Sequence, residues 1–163
     1  MSTKNKDNNT TPQAQPEKQQ LGIGVVAQYI KDLSFENPHS PQNIGKSDKA
    51  PNISINIDVK VKHLENNRFE VILAFSAKAD RDEKTNLFVA ELAYAGVFDV
   101  TVPEKDLEPI LMIYCPGLLF PFARQILAET VQNSGFPPLL IDPIDFADLF
   151  RKNKEREAKA ANK

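Results

Sequence analysis

Residues Ile113 to Phe136 read IYCPGLLFPFARQILAETVQNSGF, and they decide how the rest of the chain must be arranged. Leu119, Phe122, Ala123, Ile126, Leu127, Thr130 and Val131 recur at the i, i+3, i+4, i+7 spacing that lines side chains along one helical stripe. Such a stripe needs a cover, either from this chain or from another copy of it. Gly135 ends the helix as a C-terminal glycine does, and Pro137 and Pro138 keep it from resuming.

The cover is legible upstream. Ile53, Ile55, Ile57, Val59 and Val61 alternate with Ser54, Asn56, Asp58, Lys60 and Lys62, the pattern of a half-buried strand. After a turn at Glu65 to Arg68, Phe69, Val71, Leu73, Phe75, Ala77 and Ala79 share a face, and the short connection makes the pair an antiparallel hairpin. A charged turn over Arg81 to Lys84 leads to a strand from Leu87 to Val100. There Phe88, Ala90, Leu92 and Tyr94 take one face and Leu87, Val89, Glu91 and Ala93 the other, with Gly96 as a bulge or close-approach point. A solvent side carrying Leu87, Val89 and Glu91 is sticky for a monomer.

Earlier still, QYIKDLSFE at Gln28 to Glu36 reads as a strand with Tyr29, Lys31, Leu33 and Phe35 on one side and Gln28, Ile30, Asp32, Ser34 and Glu36 on the other. Structure is expected from near Val25, and residues 37 to 52 form a long loop. Residues 103 to 112 supply a short helical turn. FPPLLI at Phe136 to Ile141 is an apolar linker without regular structure. Asp142 and Pro143 are the expected N-cap and first turn of a second helix, whose apolar face is Ile144, Phe146, Ala147, Leu149 and Phe150 and which should fray from Arg151. Four strands followed by two helices make an α+β fold, a four-stranded antiparallel sheet packed with a long helix plus a C-terminal helix.

Composition agrees with a single domain: 163 residues, 41% hydrophobic and 26% charged. The expected organisation is a disordered N-terminal tail over 1–24, a folded domain over 25–150 and a polar basic tail over 151–163. No unbroken apolar run nears the roughly 20 residues that span a bilayer, and the N-terminus lacks a signal-peptide core, so a cytoplasmic location is expected. The net charge of -2 hides a polarity: residues 1–20 carry +1, residues 151–163 carry +4, and the body between them carries -7. An acidic body argues against nucleic acid and leaves room for a basic protein partner, while excess acid also serves simply to keep a domain soluble.

Little points to catalysis. Cys115 lies between Tyr114 and Pro116 with neither histidine nearby and reads as core packing, and His39 and His63 read as surface residues. One cysteine and two distant histidines give no metal-ligand spacing, so neither metal nor cofactor is expected. Asp80, Asp82 and Glu83 share their turn with Arg81 and Lys84, a solvated arrangement. Phosphate-cradling glycine loops and nucleophile elbows are lacking. The rival in another class is a small α+β thioesterase, which would need an acid or histidine where Tyr114 to Pro116 stand.

Four segments resemble the SecB family of bacterial export chaperones: YIKDLSFENPHSP at Tyr29 to Pro41, FVAELAYAGVF at Phe88 to Phe98, YCPGLLFPFAR at Tyr114 to Arg124, and GFPPLLIDPIDFADLF at Gly135 to Phe150. They occur in the family's order and cover most of residues 28 to 150. The resemblance implies an ATP-independent chaperone that assembles as a dimer of dimers, holds unfolded precursor proteins and delivers them to the SecA translocation ATPase. It assigns SecA contact to Asp32, Glu36, Val89 and Glu91. Assembly falls to Ala90, Leu92 and Tyr94, joined by Leu119, Phe122 and Ile126 of the long helix. Client contact is expected at Phe35, Ile44, Phe98, Leu139, Leu140, Ile141, Phe146, Leu149 and Phe150. A SecB-like chaperone dedicated to an antitoxin is the nearer alternative. The chain departs from the family pattern in having no tryptophan in its long loop and a basic rather than acidic tail, which is not expected to attract a basic partner.

Overall fold

The computed structural model of the chain describes residues 22–45, 50–82 and 85–161. Most of the expected N-terminal tail lies outside the described residues, but Gly22 already belongs to a strand, three residues before the expected start. The strands are β1 (Gly22–Glu36), β2 (Asn52–His63), β3 (Arg68–Asp82) and β4 (Thr85–Thr101), all antiparallel in the order β1-β4-β3-β2. The β2–β3 turn closes with the Arg68 N–H donating to the Glu65 carbonyl at 2.9 Å, and Asn66 at its tip takes φ 51°, a left-handed conformation that asparagine tolerates. Of the turn expected over Arg81 to Lys84, Arg81 and Asp82 still belong to β3, while residues 83 and 84 lie outside the described residues.

Alternation does what a period of two predicts in the middle of the sheet. Val71, Leu73, Phe75, Ala77 and Ala79 of β3 pair with Gly96, Tyr94, Leu92, Ala90 and Phe88 of β4, and this inner face is buried throughout. Each large side chain so buried contributes roughly 1.5 to 3 kcal/mol of transfer free energy. On β2, Ile55, Ile57 and Val59 continue the same face by pairing with Ala77, Phe75 and Leu73.

On β1 the alternation breaks. Ile30 pairs with Tyr94 but Asp32 with Ala93, so Lys31 is an extra residue on the edge strand, and a second shift falls between Val25 and Ala27. A bulge resets the phase. Tyr29 therefore shares the outer face with Asp32, Ser34 and Glu36, and Gln28 and Ile30 join Leu33 and Phe35 on the inner one, correcting the strict alternation expected for Gln28 to Glu36. Leu87 also departs from expectation. It sits at a register shift of β4 and is buried in the core rather than open to solvent. The loop 37–45 packs against that end of β4, where Asn43 Nδ2 donates to the Leu87 carbonyl at 3.3 Å and to Asn37 Oδ1 at 2.8 Å.

Beyond β4 the chain becomes helical without interruption. It passes from α1 (Glu104–Pro109) through a π-helical turn (Ile110–Tyr114) into α2 (Cys115–Asn133). In the wider turn the Cys115 N–H reaches the Ile110 carbonyl five residues back. Proline 116 can neither donate to nor fit against a tight preceding turn, so local widening accommodates it. By length and composition the run Glu104–Asn133 could cross a membrane, contrary to the count of unbroken apolar residues, because a long helix dilutes its few polar ones. In this fold its apolar stripe lies on the inner face of the sheet.

The stripe is rotated from the expected one. Cys115, Pro116, Leu119, Phe120, Ala123, Leu127 and Val131 are buried, whereas Phe122 is 51% exposed and Ile126 and Thr130 are half-buried. Both flanks of the helix carry apolar residues, so periodicity alone left the angle undetermined by one position. Phe120 is the aromatic that enters the core, its ring 6.3 Å from Phe75 and 6.0 Å from Phe146. Gly96 marks the close approach of helix and sheet: a β-carbon there would lie 2.6 Å from Phe98 Cε2 and 2.8 Å from Leu119 Cδ2. No register shift falls at Gly96.

Gly135 ends α2 as expected, with φ 89° and its N–H on the Gln132 carbonyl at 3.1 Å. The last helix, α3 (Phe146–Ala161), starts later than Asp142 would place it. Asp145 is the cap, its Oδ1 accepting the Asp148 N–H at 2.9 Å. Instead of fraying at Arg151, α3 stays helical to Ala161. Asp148 pairs with Arg151 and Lys152 one turn on, and Lys154 ties the helix to Glu108 of α1 at 2.5 Å with its ammonium over the Phe150 ring.

Candidate functional site

The face of the sheet turned away from α2 brings together all four residues expected to contact SecA. Ser34 pairs with Glu91, Glu36 with Val89 and Asp32 with Ala93, so Asp32, Glu36, Val89 and Glu91 stand on one side of two adjacent strands. The three carboxylates are exposed and Val89 is half-buried among them. Next to them the sheet carries only short side chains, Ala93 of β4 paired with Ala74 of β3 and Glu91 paired with Ser76. The result is a shallow depression of about 300 Å³ with Ala74, Ser76 and Ala93 on its floor and Asp32, Glu91, Asp58 and Lys60 around it.

Asp58 was missed from the sequence. Its β2 alternation was plain, but only the register, Asp58 opposite Ala74, places it across the depression from Asp32. Such a surface can receive a flat basic segment: the carboxylates supply attraction and orientation, and the small residues let a backbone or a long cationic side chain approach closely.

Farther along the same face, Glu70 of β3 is 5% exposed and accepts hydrogen bonds at Oε1 from Lys31 Nζ at 2.6 Å and from the Tyr29 hydroxyl. The Lys31 ammonium, then the Tyr29 donor, hold its carboxyl below the ordinary carboxylate value, against the burial that would raise it. Donating to that carboxylate pushes the Tyr29 phenol up to about 12.

The residues expected to hold clients do not form one surface. Phe35 and Ile44 meet at the end of α2, Phe35 stacked 5.3 Å from Phe88 and 6.3 Å from Phe136, and Ile44 against Gly135. Leu149 and Phe150 lie half-buried on α3, Phe150 beside Met112, Val59 and Lys154. Leu140 is 68% exposed. Phe98, Leu139, Ile141 and Phe146, also expected to touch clients, are buried in the core of this one chain. Phe98 faces α2 through strand alternation, and the linker turns Leu139 and Ile141 inward on either side of Leu140. In the same way Ala90, Leu92 and Leu119 are interior to this one chain, and Tyr94 is nearly so. Of the six residues expected in assembly, Phe122 and Ile126 keep accessible surface on α2, with exposed Tyr114 alongside.

Cys115 is wholly buried, and burial pushes its thiol up to about 12. A thiolate is disfavoured there, in keeping with packing rather than nucleophilic chemistry. His63 lies at the end of β2 with Nε2 2.7 Å from the Asn66 carbonyl and its ring against Phe69. Among the described residues, no group of three or more His, Cys, Asp or Glu could hold a metal ion.

Residues 15–157 match the family described as preprotein translocase subunit SecB. The chain is 47% identical over 157 residues to the protein-export protein SecB of Nitrobacter hamburgensis, with 96% of each chain covered. To the protein of that name from Afipia carboxidovorans it is 51% identical over 137 residues, covering 83% of this chain and 84% of the relative. A solved structure, a Mycobacterium tuberculosis SecB-like chaperone in complex with a ChAD peptide from the HigA1 antitoxin, superposes with a TM-score of 0.61 over 75% of this chain and 90% of the other, at 12% identity. That likeness is one of fold.

Proposed function

Since the chain belongs to the SecB family, we propose that its outer sheet face docks the SecA ATPase while apolar patches elsewhere on the molecule hold the precursor protein. The chain is a chaperone of preprotein export that works in the cytoplasm, and the family it belongs to is not one of enzymes. One observation supports the docking reading above the others: the antiparallel register gathers Asp32, Glu36, Val89 and Glu91 on a single outward face. Asp58 extends the acidic rim onto β2. A basic segment of SecA is steered by these charges and gains apolar contact at Val89.

Clients are held at Phe35 and Ile44, at Leu140, and at Leu149 and Phe150. Each apolar client side chain buried there contributes only about 1.5 to 3 kcal/mol, so useful affinity requires several patches acting along one unfolded chain. Four copies supply them. The outer edge of β1, unpaired among the described residues and with Val25, Val26, Ile30 and Leu33 exposed, together with exposed Tyr114 of the π-helical turn and Phe122 of α2, supports assembly as a homotetramer, a dimer of dimers.

The test separates the two surfaces. Glu91→Lys should weaken SecA binding about tenfold at low ionic strength, with the gap closing as salt rises, and should leave suppression of precursor aggregation intact. Leu140→Asp should do the reverse. A monomeric protein that fails to suppress aggregation, or a Glu91→Lys variant in which both activities fall together, would refute this reading.

A further inference from the structure

The bulge on β1 is anchored from the far side of β4. Glu70 lies on β3, two strands away, yet both its hydrogen-bond donors, Tyr29 and Lys31, come from β1. The strand between them presents Ala95 where Tyr29 pairs, a side chain short enough for the phenol to reach over it. Lys31 is the extra residue of the bulge, so Lys31 and Asp32, consecutive in sequence, both serve the outer face, which an unbroken strand forbids. With strict alternation, either Tyr29 and Lys31 or Asp32, Ser34 and Glu36 would point outward, but not both.

Two anchors of opposite phase enforce the compromise. Downstream, Leu33 opposite Leu92 and Phe35 stacked on Phe88 hold their half of β1 to the inner face. Upstream, the shared carboxylate oxygen of Glu70 holds Tyr29 and Lys31 to the outer one. Remove the upstream anchor and the one side-chain hydrogen bond left to β1 before Asp32, among the described residues, is the long one from the Tyr94 hydroxyl to Gln28 Oε1 on the inner face, 3.2 Å against 2.6 Å for Lys31 on Glu70. Resting on the SecA reading of this face, we infer that Glu70, acting through Lys31 and Tyr29, is a positioning device for Asp32 in partner docking, although Glu70 is itself too buried to touch the partner.

Lys31 offers a test in which charge and positioning predict opposite signs. Lys31→Met makes the face more acidic, so electrostatics alone would tighten binding of a basic partner, whereas loss of positioning weakens it. In titrations of SecA onto the full-length protein, Lys31→Met and Glu70→Gln should each raise Kd about threefold to tenfold, the range of a coupled pair. In an Asp32→Asn background neither should have a further effect, while in a Glu91→Gln background both should keep their full effect. Aggregation suppression and oligomeric state, measured on the same samples, should not change. Should Glu70→Gln fold poorly, Lys31→Met at a surface residue carries the test alone. The inference is overturned if Lys31→Met tightens binding or leaves it unchanged, or if the effects are equal in the two backgrounds. If Asp32→Asn and Glu91→Gln themselves leave SecA binding unaltered, the docking reading falls and this inference with it; if they weaken it and Lys31→Met does not, only the positioning inference falls.

Discussion

Gly96→Ala adds one methyl group at the point where β4 passes beneath α2, and its cost can be worked from the surrounding atoms. The new carbon would sit 2.6 Å from Phe98 Cε2, 2.9 Å from its Cζ and 2.8 Å from Leu119 Cδ2, all well inside van der Waals contact. Phe98 and Leu119 are both 0% exposed, so neither side chain can swing into solvent, and relief must come from lifting α2 or bending β4. Overpacking of this kind costs about 1 to 3 kcal/mol. Alanine also restricts the unfolded chain, which offsets about 0.4 to 1 kcal/mol, leaving a net loss of about 1 to 2 kcal/mol. With a urea dependence of about 1 to 3 kcal/mol per molar, the unfolding midpoint should drop by roughly 0.3 to 2 M. Protein concentration must be held equal, because assembly contributes to apparent stability. Leu119→Val opens space beside the new methyl group, so the double variant should lose less than the sum of the single losses. A Gly96→Ala protein as stable as the parent, or strictly additive behaviour with Leu119→Val, would refute the tight seating of α2 on the sheet.

The cap and the buried carboxylate give two further expectations. Asp145→Ala removes the acceptor for the Asp148 N–H and should cost about 1 kcal/mol, read as helicity lost from α3 by circular dichroism together with a lower unfolding midpoint; the same change at Asp142 should have little effect. Glu70 has a folded pKa depressed below its ordinary 4.5, chiefly by Lys31 and then Tyr29, with Lys62 adding a smaller favourable charge. Its contribution is therefore fully present above about pH 4.5 and disappears as pH falls through the lower folded value. Urea midpoints of the parent and of Glu70→Gln should differ at neutral pH and converge in acid, and a difference that grew on acidification would contradict the assigned ion pair.

Much of the candidate site was legible because its geometry depends on local period. The face shared by Val89 and Glu91 follows from counting by two along one strand, and that shared by Asp32 and Glu36 survives because both lie beyond the bulge. Tyr29 and Ile30 lie before it, so the same count assigned them to the wrong faces. A bulge is decided by what sits across the sheet, here Glu70, some forty residues away in sequence. Asp58 escaped notice for a related reason: its partner in the depression is chosen by register between strands, which no single strand encodes. Which apolar residues stay exposed was harder still to read, since one that packs inside the chain and one left at the surface look the same in sequence, as buried Leu139 and exposed Leu140 illustrate.

By itself, the sequence determined the kinds and order of the elements: alternating β-branched residues can only make half-buried strands, and the 3.6-residue recurrence after Cys115 can only make a helix that needs a sheet beneath it. Tertiary structure decided phase and burial. It seated Phe120 instead of Phe122 because Phe75 and Phe146 offer it a pocket, brought Leu87 into the core under the loop held by Asn43, and moved the α3 cap to Asp145. Each of these choices turns on contacts between residues far apart in the chain, and their energies exceed the small local preferences that a sequence displays.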